Sequence, residues 1–480
     1  MQKIKKKQKL ELVIEDMVFG GNGISKINLD NKKDFVIFVK NAIEGQRVIV
    51  EITKFRANYA ESKIIKVLEK SKLQKKINFQ KISGAPYIEL DINFQRNIKR
   101  KLVFDVFRKI GKVENIDDYF DEFIASPKTW HYRNKMEYSF SSIIFDKKLS
   151  KDIDGFGLGF KKSNTWWIVE NLDKDSGMFD KDWENGIKKI REYCKKTKLS
   201  AWNIPQKKGF FRNLNVRKSY KENKLLIELV TSSKDLKKFD SDLFKQMILS
   251  TFKNKISGII HSVNDDISDR LNYEKIKSKL IFGSEKISEN ILNLDFEINM
   301  SSFFQTNPMC AELLYGKVLD YIKKVSLDDK KVVLDLFCGT GTISQIIASN
   351  IKNIKVIGVD IVSSSISNAK QSSKNNGISN VEFQSVDVGE FLIKNPNLKN
   401  EISTIILDPP RPGISKKSLK KIIELQSKSI IYVSCNPSTQ ARDVEILIKS
   451  GYNILKFSIV DQFPHTHHIE TVFILKKINF

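Results

Sequence analysis

The chain has 480 residues, 41% of them hydrophobic and 10% aromatic. That is enough for two or three packed domains, and no apolar run reaches the roughly 18 residues that a membrane-spanning helix needs. Its 82 basic and 57 acidic side chains leave a formal charge of +25; a compositional bias toward Lys, Ile, Asn and Ser accounts for part of this, yet such an excess still attracts a polyanion, nucleic acid first.

The amino-terminal lysines, Lys3, Lys5, Lys6, Lys7 and Lys9, are followed by Glu11, Glu15 and Asp16 rather than by an apolar stretch. This is not the pattern of a secretory signal, so a cytoplasmic protein is expected. Cys194, Cys310, Cys338 and Cys435 are widely and irregularly spaced, with no C-x-x-C pair. Reduced thiols are expected, and a zinc or iron–sulfur site has no local support.

Residues 10–67 read as five short strands with turns at Gly20-Gly21-Asn22-Gly23 and Glu44-Gly45. This pattern suits a small OB-type barrel, a fold that often binds single-stranded nucleic acid, although strand pattern alone also fits other small β domains. A basic connector covers 70–90, and 93–111 has the period of an amphipathic helix ending at Gly111. From 126 to 300, strand-like stretches alternate with helical segments near 179–197 and 237–255, a mixed α+β region. From 306 onward, apolar strands alternate with helices, which indicates a parallel, doubly wound sheet.

In "VVLDLFCGTGTIS" a strand delivers Asp335, and Gly339 and Gly341 open a turn before a helix. Glycines let a bulky cofactor approach the backbone. A second strand ends at Asp360, where a carboxylate can bind ribose hydroxyls. The third glycine of a dinucleotide fingerprint is absent, and Asp335 precedes the turn; both favour S-adenosylmethionine over a dinucleotide. Asp387 follows another strand, placed either to reach an adenine edge or to cap a helix. Asp408 precedes the proline pair of "LDPPRPG". Ligands of open α/β sheets sit outside the carboxyl ends of the strands, where all four acids fall.

"IIYVSCNPST" places Cys435 at the carboxyl end of a further strand. A cysteine on an apolar strand is commonly a small buried hydrophobe, but Asn436-Pro437 ends this strand sharply and turns the thiol toward the crevice. A thiolate there suits pyrimidine chemistry: addition to carbon 6 of uracil makes carbon 5 a nucleophile, and a base then removes the carbon 5 proton. "DQFPHTHHIETVFIL" offers Asp461, His465, His467, His468 and Glu470 as that base. A polar loop or a metal site are the other readings of this cluster.

These residues carry a resemblance. "SFFQTN" at 302–307, "VLDLFCGTGTIS" at 333–344, "LDPPRPG" at 407–413, "YVSCNPSTQARD" at 432–443 and "DQFPHTHHIETV" at 461–472 together resemble the RNA uracil-5-methyltransferases. The barrel resembles the TRAM domain of some members. The resemblance implies an N-terminal OB-type TRAM barrel over 1–70, a mixed α+β RNA-binding domain over 71–300, with helix 93–111 packing on the catalytic half, and a Rossmann-like class I methyltransferase domain over 301–480. It implies S-adenosylmethionine held by Gln305, Phe337, Thr342, Asp360, Asp387 and Asp408. It makes Cys435 the nucleophile and Glu470 the base, and it makes Phe303 and Arg133 contacts to a flipped-out base, with core packing the other reading of Phe303. The implied partner is RNA, 23S ribosomal RNA in particular, because transfer RNA enzymes of the family usually lack the barrel.

The departures concern a cluster and two contacts. Many relatives hold an iron–sulfur cluster on four cysteines. Here the first region reads "INFQKISGAPYIEL" and the later position is Asn171, so no cluster and no metal are expected. Asp360 stands where relatives commonly have Glu, and Thr342 where some have Asn; both keep hydrogen-bonding ability. Nothing in the sequence demands a partner subunit, and a monomer is expected. The competing functions are a transfer RNA uracil-5-methyltransferase, a non-catalytic RNA-binding assembly factor and, outside RNA, an NAD enzyme.

Overall fold

The computed structural model describes residues 4–28, 34–163, 165–267, 273, 275–325 and 332–478; Lys3 of the basic amino terminus lies outside them. The first unit is built from β1 (Lys9–Val13), β2 (Asp16–Val18), β3 (Asn22–Asn28), β4 (Asp34–Lys40), β5 (Arg47–Phe55) and β6 (Tyr59–Glu69), in the order β1-β5-β6-β4-β3-β2. Its two end strands are successive halves of one segment. The Ile14 amide donates to the Gln46 carbonyl at 2.9 Å and the next amide, Glu15, to the Ile24 carbonyl at 2.8 Å. The segment therefore switches partners at a bend and closes the barrel, so one of the five expected strands counts as two. Alternate residues, such as Val48, Val50 and Ile52, fill the interior.

Helix α1 (Ile92–Lys109) begins at Asp91, whose carboxylate accepts the Asn93 and Phe94 amides, and stops before Gly111. Its buried face, including Val103, Phe104 and Phe107, belongs to the core of the carboxy-terminal half. Strand β7 (Phe120–Ala125) follows it.

The middle region is a seven-stranded sheet of β8 (Lys135–Asp146), β9 (Lys151–Lys161), β10 (Val169–Asn171), β11 (Phe211–Ser219), β12 (Lys224–Thr231), β13 (Ile256–Val263) and β14 (Lys277–Gly283), in the order β10-β9-β8-β11-β12-β13-β14. Helices α2 (Lys181–Lys196) and α3 (Ser241–Phe252) cover it, with Trp183, Ile187 and Phe244 in a shared core. A hairpin of β15 (Ile287–Ile291) and β16 (Leu294–Ile298) leads into α4 (Pro308–Lys323).

The last unit runs β17 (Val332–Leu336), α5 (Thr342–Asn350), β18 (Lys355–Asp360), α6 (Ser363–Asn375), β19 (Val381–Ser385), α7 (Val388–Lys394), β20 (Ile402–Leu407), α8 (Lys416–Glu424), β21 (Ser429–Ser434), α9 (Pro437–Lys449), β22 (Tyr452–Asp461) and β23 (Glu470–Lys477). The sheet order is β19-β18-β17-β20-β21-β23-β22-β7. β17 to β21 are parallel, and β23 runs antiparallel to β21 and β22. β7 joins the edge parallel to β22, so the segment 92–125 completes this sheet from far upstream. The order reverses between β17 and β20, which opens a crevice above their carboxyl ends. Among the described residues no helix is long and apolar enough to cross a membrane.

Candidate active site

The crevice floor is the turn after β17. Phe337, Gly339 and Gly341 have φ of +66°, +54° and +71°. Gly341 is required twice over, by its left-handed backbone and because a Cβ there would lie 2.4 Å from the Phe383 ring. Asp360, at the end of β18, accepts the Gly339 amide at 3.0 Å and the Val362 amide at 2.8 Å, so it stitches the turn to the neighbouring strand. Thr342 opens α5 and is buried. Asp387 caps α7, its Oδ1 accepting the Glu390 amide at 3.1 Å, so the capping reading of this residue describes that oxygen.

Two further carboxyls are costly to ionise here. Asp335 is fully buried; one oxygen accepts the Ser344 hydroxyl at 2.5 Å and the other, Oδ1, has no partner. Burial pushes its carboxyl up to about 7, and burial also raises Asp408, beyond the end of β20, to about 7. Buried Tyr315, on α4, joins the parts: its hydroxyl is raised first by burial, then by Asp408, Glu470 and Asp335, and lowered by a hydrogen bond from Gln305. Gln305, whose Oε1 is 3.5 Å from Gln462 Nε2, thus reaches the same space as the strand-end acids. An unpartnered buried carboxylate oxygen and near-neutral acids suit a ligand bearing positive charge and hydroxyl donors. Tyr315 gave no sequence signal beyond its helix.

Cys435 follows β21 directly. β21 and β23 are antiparallel, with Ser434 opposite Thr471, so the next register position sets Cys435 opposite Glu470. Cross-strand partners share a face, with Cβ atoms about 5 Å apart in a regular ladder. The thiol is half-buried and pushed up to about 11, by burial first and then by Glu470 and Asp408, while Arg411 pulls it down. Glu470 is buried and raised well above the usual carboxylate range, by burial and then by Asp408, with Arg411 again opposing. Arg411 lies within "LDPPRPG" but no spacing argument marked it. Its carbonyl accepts from Asn436 Nδ2 at 2.9 Å, which fastens the proline turn to the cysteine turn.

Asp461, His465 and His467 make contacts with upstream elements, whereas His468 lies beside Arg411. Asp461 is buried and accepts from Lys99 Nζ at 2.6 Å. His465 stacks on Trp130 at 3.7 Å, has a left-handed φ of +65°, and lies 3.0 Å through Nδ1 from Gln95 Nε2. His467 packs against Gly21 of the barrel, where an added Cβ would come within 2.8 Å of the ring. His468 stands 3.3 Å from Arg411, and burial, then His467 and Arg411, lower it to about 3. Of this cluster, Glu470 adjoins the last pair of the β21–β23 ladder and raises the Cys435 thiol.

Phe303 is 67% exposed, so it is not a core residue. It shares a cavity of about 470 Å³ with Arg133, and Thr466, between β22 and β23, also lines it. Among the described residues no group of three or more His, Cys, Asp or Glu side chains is arranged to hold a metal ion. Asn171 Oδ1 accepts the Leu158 amide at 3.0 Å, and its carbonyl accepts from Gln80 Nε2 at 2.7 Å, a polar link between connector and middle sheet.

The sequence matches the family described as tRNA (Uracil-5-)-methyltransferase over residues 211–478 and the TRAM domain over 5–65. It is 34% identical over 481 residues to an uncharacterised RNA methyltransferase of Clostridium acetobutylicum, covering 99% of both chains. It is also 34% identical over 479 residues to one of Clostridium tetani, again covering 99% of both. The fold is similar to a crystal structure of Pyrococcus abyssi tRNA (uracil-54, C5)-methyltransferase in complex with S-adenosyl-L-homocysteine, with a TM-score of 0.70 and 25% identity, covering 97% of this chain and 100% of the other.

Proposed function

Because the chain belongs to the tRNA (uracil-5-)-methyltransferase family of RNA methyltransferases, we propose that it methylates carbon 5 of a uridine in 23S ribosomal RNA, using S-adenosylmethionine. The observation that supports this reading is the β21–β23 register, whose last pair, Ser434 with Thr471, leaves Cys435 and Glu470 at the same end of the ladder, with Asp335 and Asp408 raised by burial in the same half of the molecule.

Gln305, Phe337, Thr342, Asp360, Asp387 and Asp408 would hold the cofactor. The unpartnered Oδ1 of Asp335 and the raised carboxyls of Asp335 and Asp408 fit its cationic and hydroxyl groups. When bound, S-adenosylmethionine supplies an electrophilic methyl group. The Cys435 thiolate adds to carbon 6 of the uracil, forming the sulfur–carbon bond and moving the electron pair of the 5,6 double bond onto carbon 5 and the carbon 4 oxygen. Once carbon 5 is methylated, the Glu470 carboxylate takes the remaining carbon 5 proton. The 5,6 double bond reforms and the thiolate leaves with its electron pair. Burial and then Asp408 raise the Glu470 carboxyl well above the usual carboxylate range, and Arg411 opposes them by favouring the ionised base.

The ribosomal assignment rests on the barrel and the basic connector, which suit a long phosphate track. A second reading, transfer RNA, is favoured by the likeness to the Pyrococcus abyssi enzyme. That likeness covers 97% of this chain, so a barrel alone does not select ribosomal RNA. Incubation with unmodified 23S ribosomal RNA and unmodified transfer RNA side by side, with nucleoside mass spectrometry, separates the two. 5-Methyluridine in ribosomal RNA alone is the expected outcome. 5-Methyluridine in transfer RNA alone would move the assignment, and its absence from both would refute the reaction.

A further inference from the structure

Arg217, near the end of β11, is only 2% exposed. Its Nη2 donates to the carbonyls of Ser302 and, at 3.5 Å, Met300, and so braces the segment that carries Phe303. Its Nε and Nη1 are buried without a hydrogen-bond partner. The nearby acids are engaged with others: Glu137 with Lys135 at 2.7 Å, and Glu228 with Asn215 at 2.8 Å, Ser262 at 2.6 Å and Tyr273 at 3.0 Å. Burial pulls the Arg217 guanidinium down to about 10. A buried cation with unused donors is costly unless an anion completes it.

The cavity of about 470 Å³ lined by Arg217 also takes in Arg133, Lys135, Glu137, Phe303 and Thr466. Arg133 Nε is a second buried donor without a partner. With Lys135 answered by Glu137, two arginines with buried, unpartnered nitrogens are left among the residues that line a space of nucleotide size. Guanidinium groups match phosphate oxygens, and the exposed Phe303 ring in the same cavity offers a stacking face for a base. Anion donors beside an aromatic face describe a nucleotide better than a lone ion.

We propose that this cavity is a phosphate subsite for the substrate RNA, in which Arg217 and Arg133 take a backbone phosphate next to the target uridine. The proposal rests on the RNA methyltransferase reading and adds the substrate group that the middle sheet holds. Arg217 then has two jobs: one nitrogen positions Phe303, and the others bind the anion.

The test is binding of a short single-stranded RNA with one uridine, carrying a single neutral methylphosphonate at each flanking position in turn, to full-length protein in a Cys435→Ala background. One position is expected to weaken binding by about tenfold, and to cost only about twofold when Arg217→Met is added. Arg133→Met, at a less buried position, is expected to shrink the same cost, and it carries the test if Arg217→Met does not fold. Equal costs with and without the arginines would overturn the proposal. Competition by inorganic phosphate at constant ionic strength, with no position-specific cost on RNA, would assign the cavity to a free anion and overturn it too. Since binding is read without turnover, an arginine-dependent cost in a protein that methylates nothing would sink the reaction alone. Methylation without that cost would sink only the subsite.

Discussion

Ser434 and Thr471 are the last pair of the antiparallel β21–β23 ladder, so Cys435, the next residue after Ser434, and Glu470, the residue before Thr471, come together at the same end of it. They are 35 residues apart by their numbers and fall at two strand ends that the sheet alone brings together. The geometry gives the thiol a carboxyl neighbour that raises its pKa in the free protein and can take a proton from a ring bound to the sulfur.

That pairing predicts different consequences for the two residues. Cys435→Ala should abolish both methylation and any covalent bond to RNA. Glu470→Gln should still let the thiolate add, yet block proton removal, so a protein–RNA adduct should accumulate and survive denaturing electrophoresis. If Glu470→Gln turned over normally, with no adduct, the base would be another group.

The thiol, raised to about 11, should be mostly protonated at neutral pH. The reactive thiolate fraction then grows as pH rises, so kcat/KM should climb about tenfold per unit from pH 6.5 to 9 without a plateau. Arg411→Ala removes the charge that lowers this pKa, and should slow alkylation of Cys435 at fixed pH, read by peptide mass spectrometry. A plateau below pH 7.5 would show that the thiol is already activated in the free protein.

Asp335 and Asp408, both raised to about 7, should couple stability to pH. Their folded-state pKa values exceed the unfolded value of about 4, so the folded state binds more protons between about pH 4 and 7 and stability falls as pH rises through that window. The melting temperature of the free protein should drop from pH 5 to 7.5, and Asp335→Asn should flatten the drop. Affinity for S-adenosylmethionine should rise over the same window, more steeply than for the uncharged S-adenosylhomocysteine. Identical pH slopes for the two ligands would remove the electrostatic role of these acids.

The loop between β22 and β23 is tied to α1. Lys99 donates to Asp461 at 2.6 Å and to the Phe463 carbonyl at 3.0 Å, both buried against the start of the loop that leads to Glu470. Lys99→Met leaves buried Asp461 with only the more distant Arg96, at 3.8 Å, and should cost about 3 kcal/mol in denaturant unfolding. Adding Asp461→Leu should recover most of the stability while kcat stays low, because the loop is still untethered. Full recovery of kcat in the double variant would mean that the pair only stabilises.

Much of this was legible in the sequence because it is local. Apolar runs, glycine turns and proline stops fix β17 to β21 and the strand-end acids, and the carboxyl-end rule places them on one crevice. The hairpin β15–β16 was not legible: its turn uses Leu292 and Asn293 at φ of +48° and +65°, without the glycine that usually advertises such a turn. β7 was missed because "FDEFIA" is only half-buried and its partner strand starts at Tyr452. Spacing within the loop leaves Asp461, the histidines and Glu470 open as the base, and the resemblance selects Glu470; the contacts that Lys99, Gln95 and Gly21 make with Asp461, His465 and His467 come from far upstream, where no spacing within the loop encodes them.

The most direct test of the account is a trap. Full-length protein, S-adenosylmethionine and RNA with 5-fluorouridine at the target position should form a denaturation-stable adduct, because fluorine at carbon 5 cannot leave as a proton. Peptide mass spectrometry should place the RNA on Cys435 and find a methyl group on the fluorinated ring, and Cys435→Ala should give no adduct. An adduct that persists in Cys435→Ala, or none in a protein that still methylates ordinary RNA, would contradict covalent catalysis by Cys435.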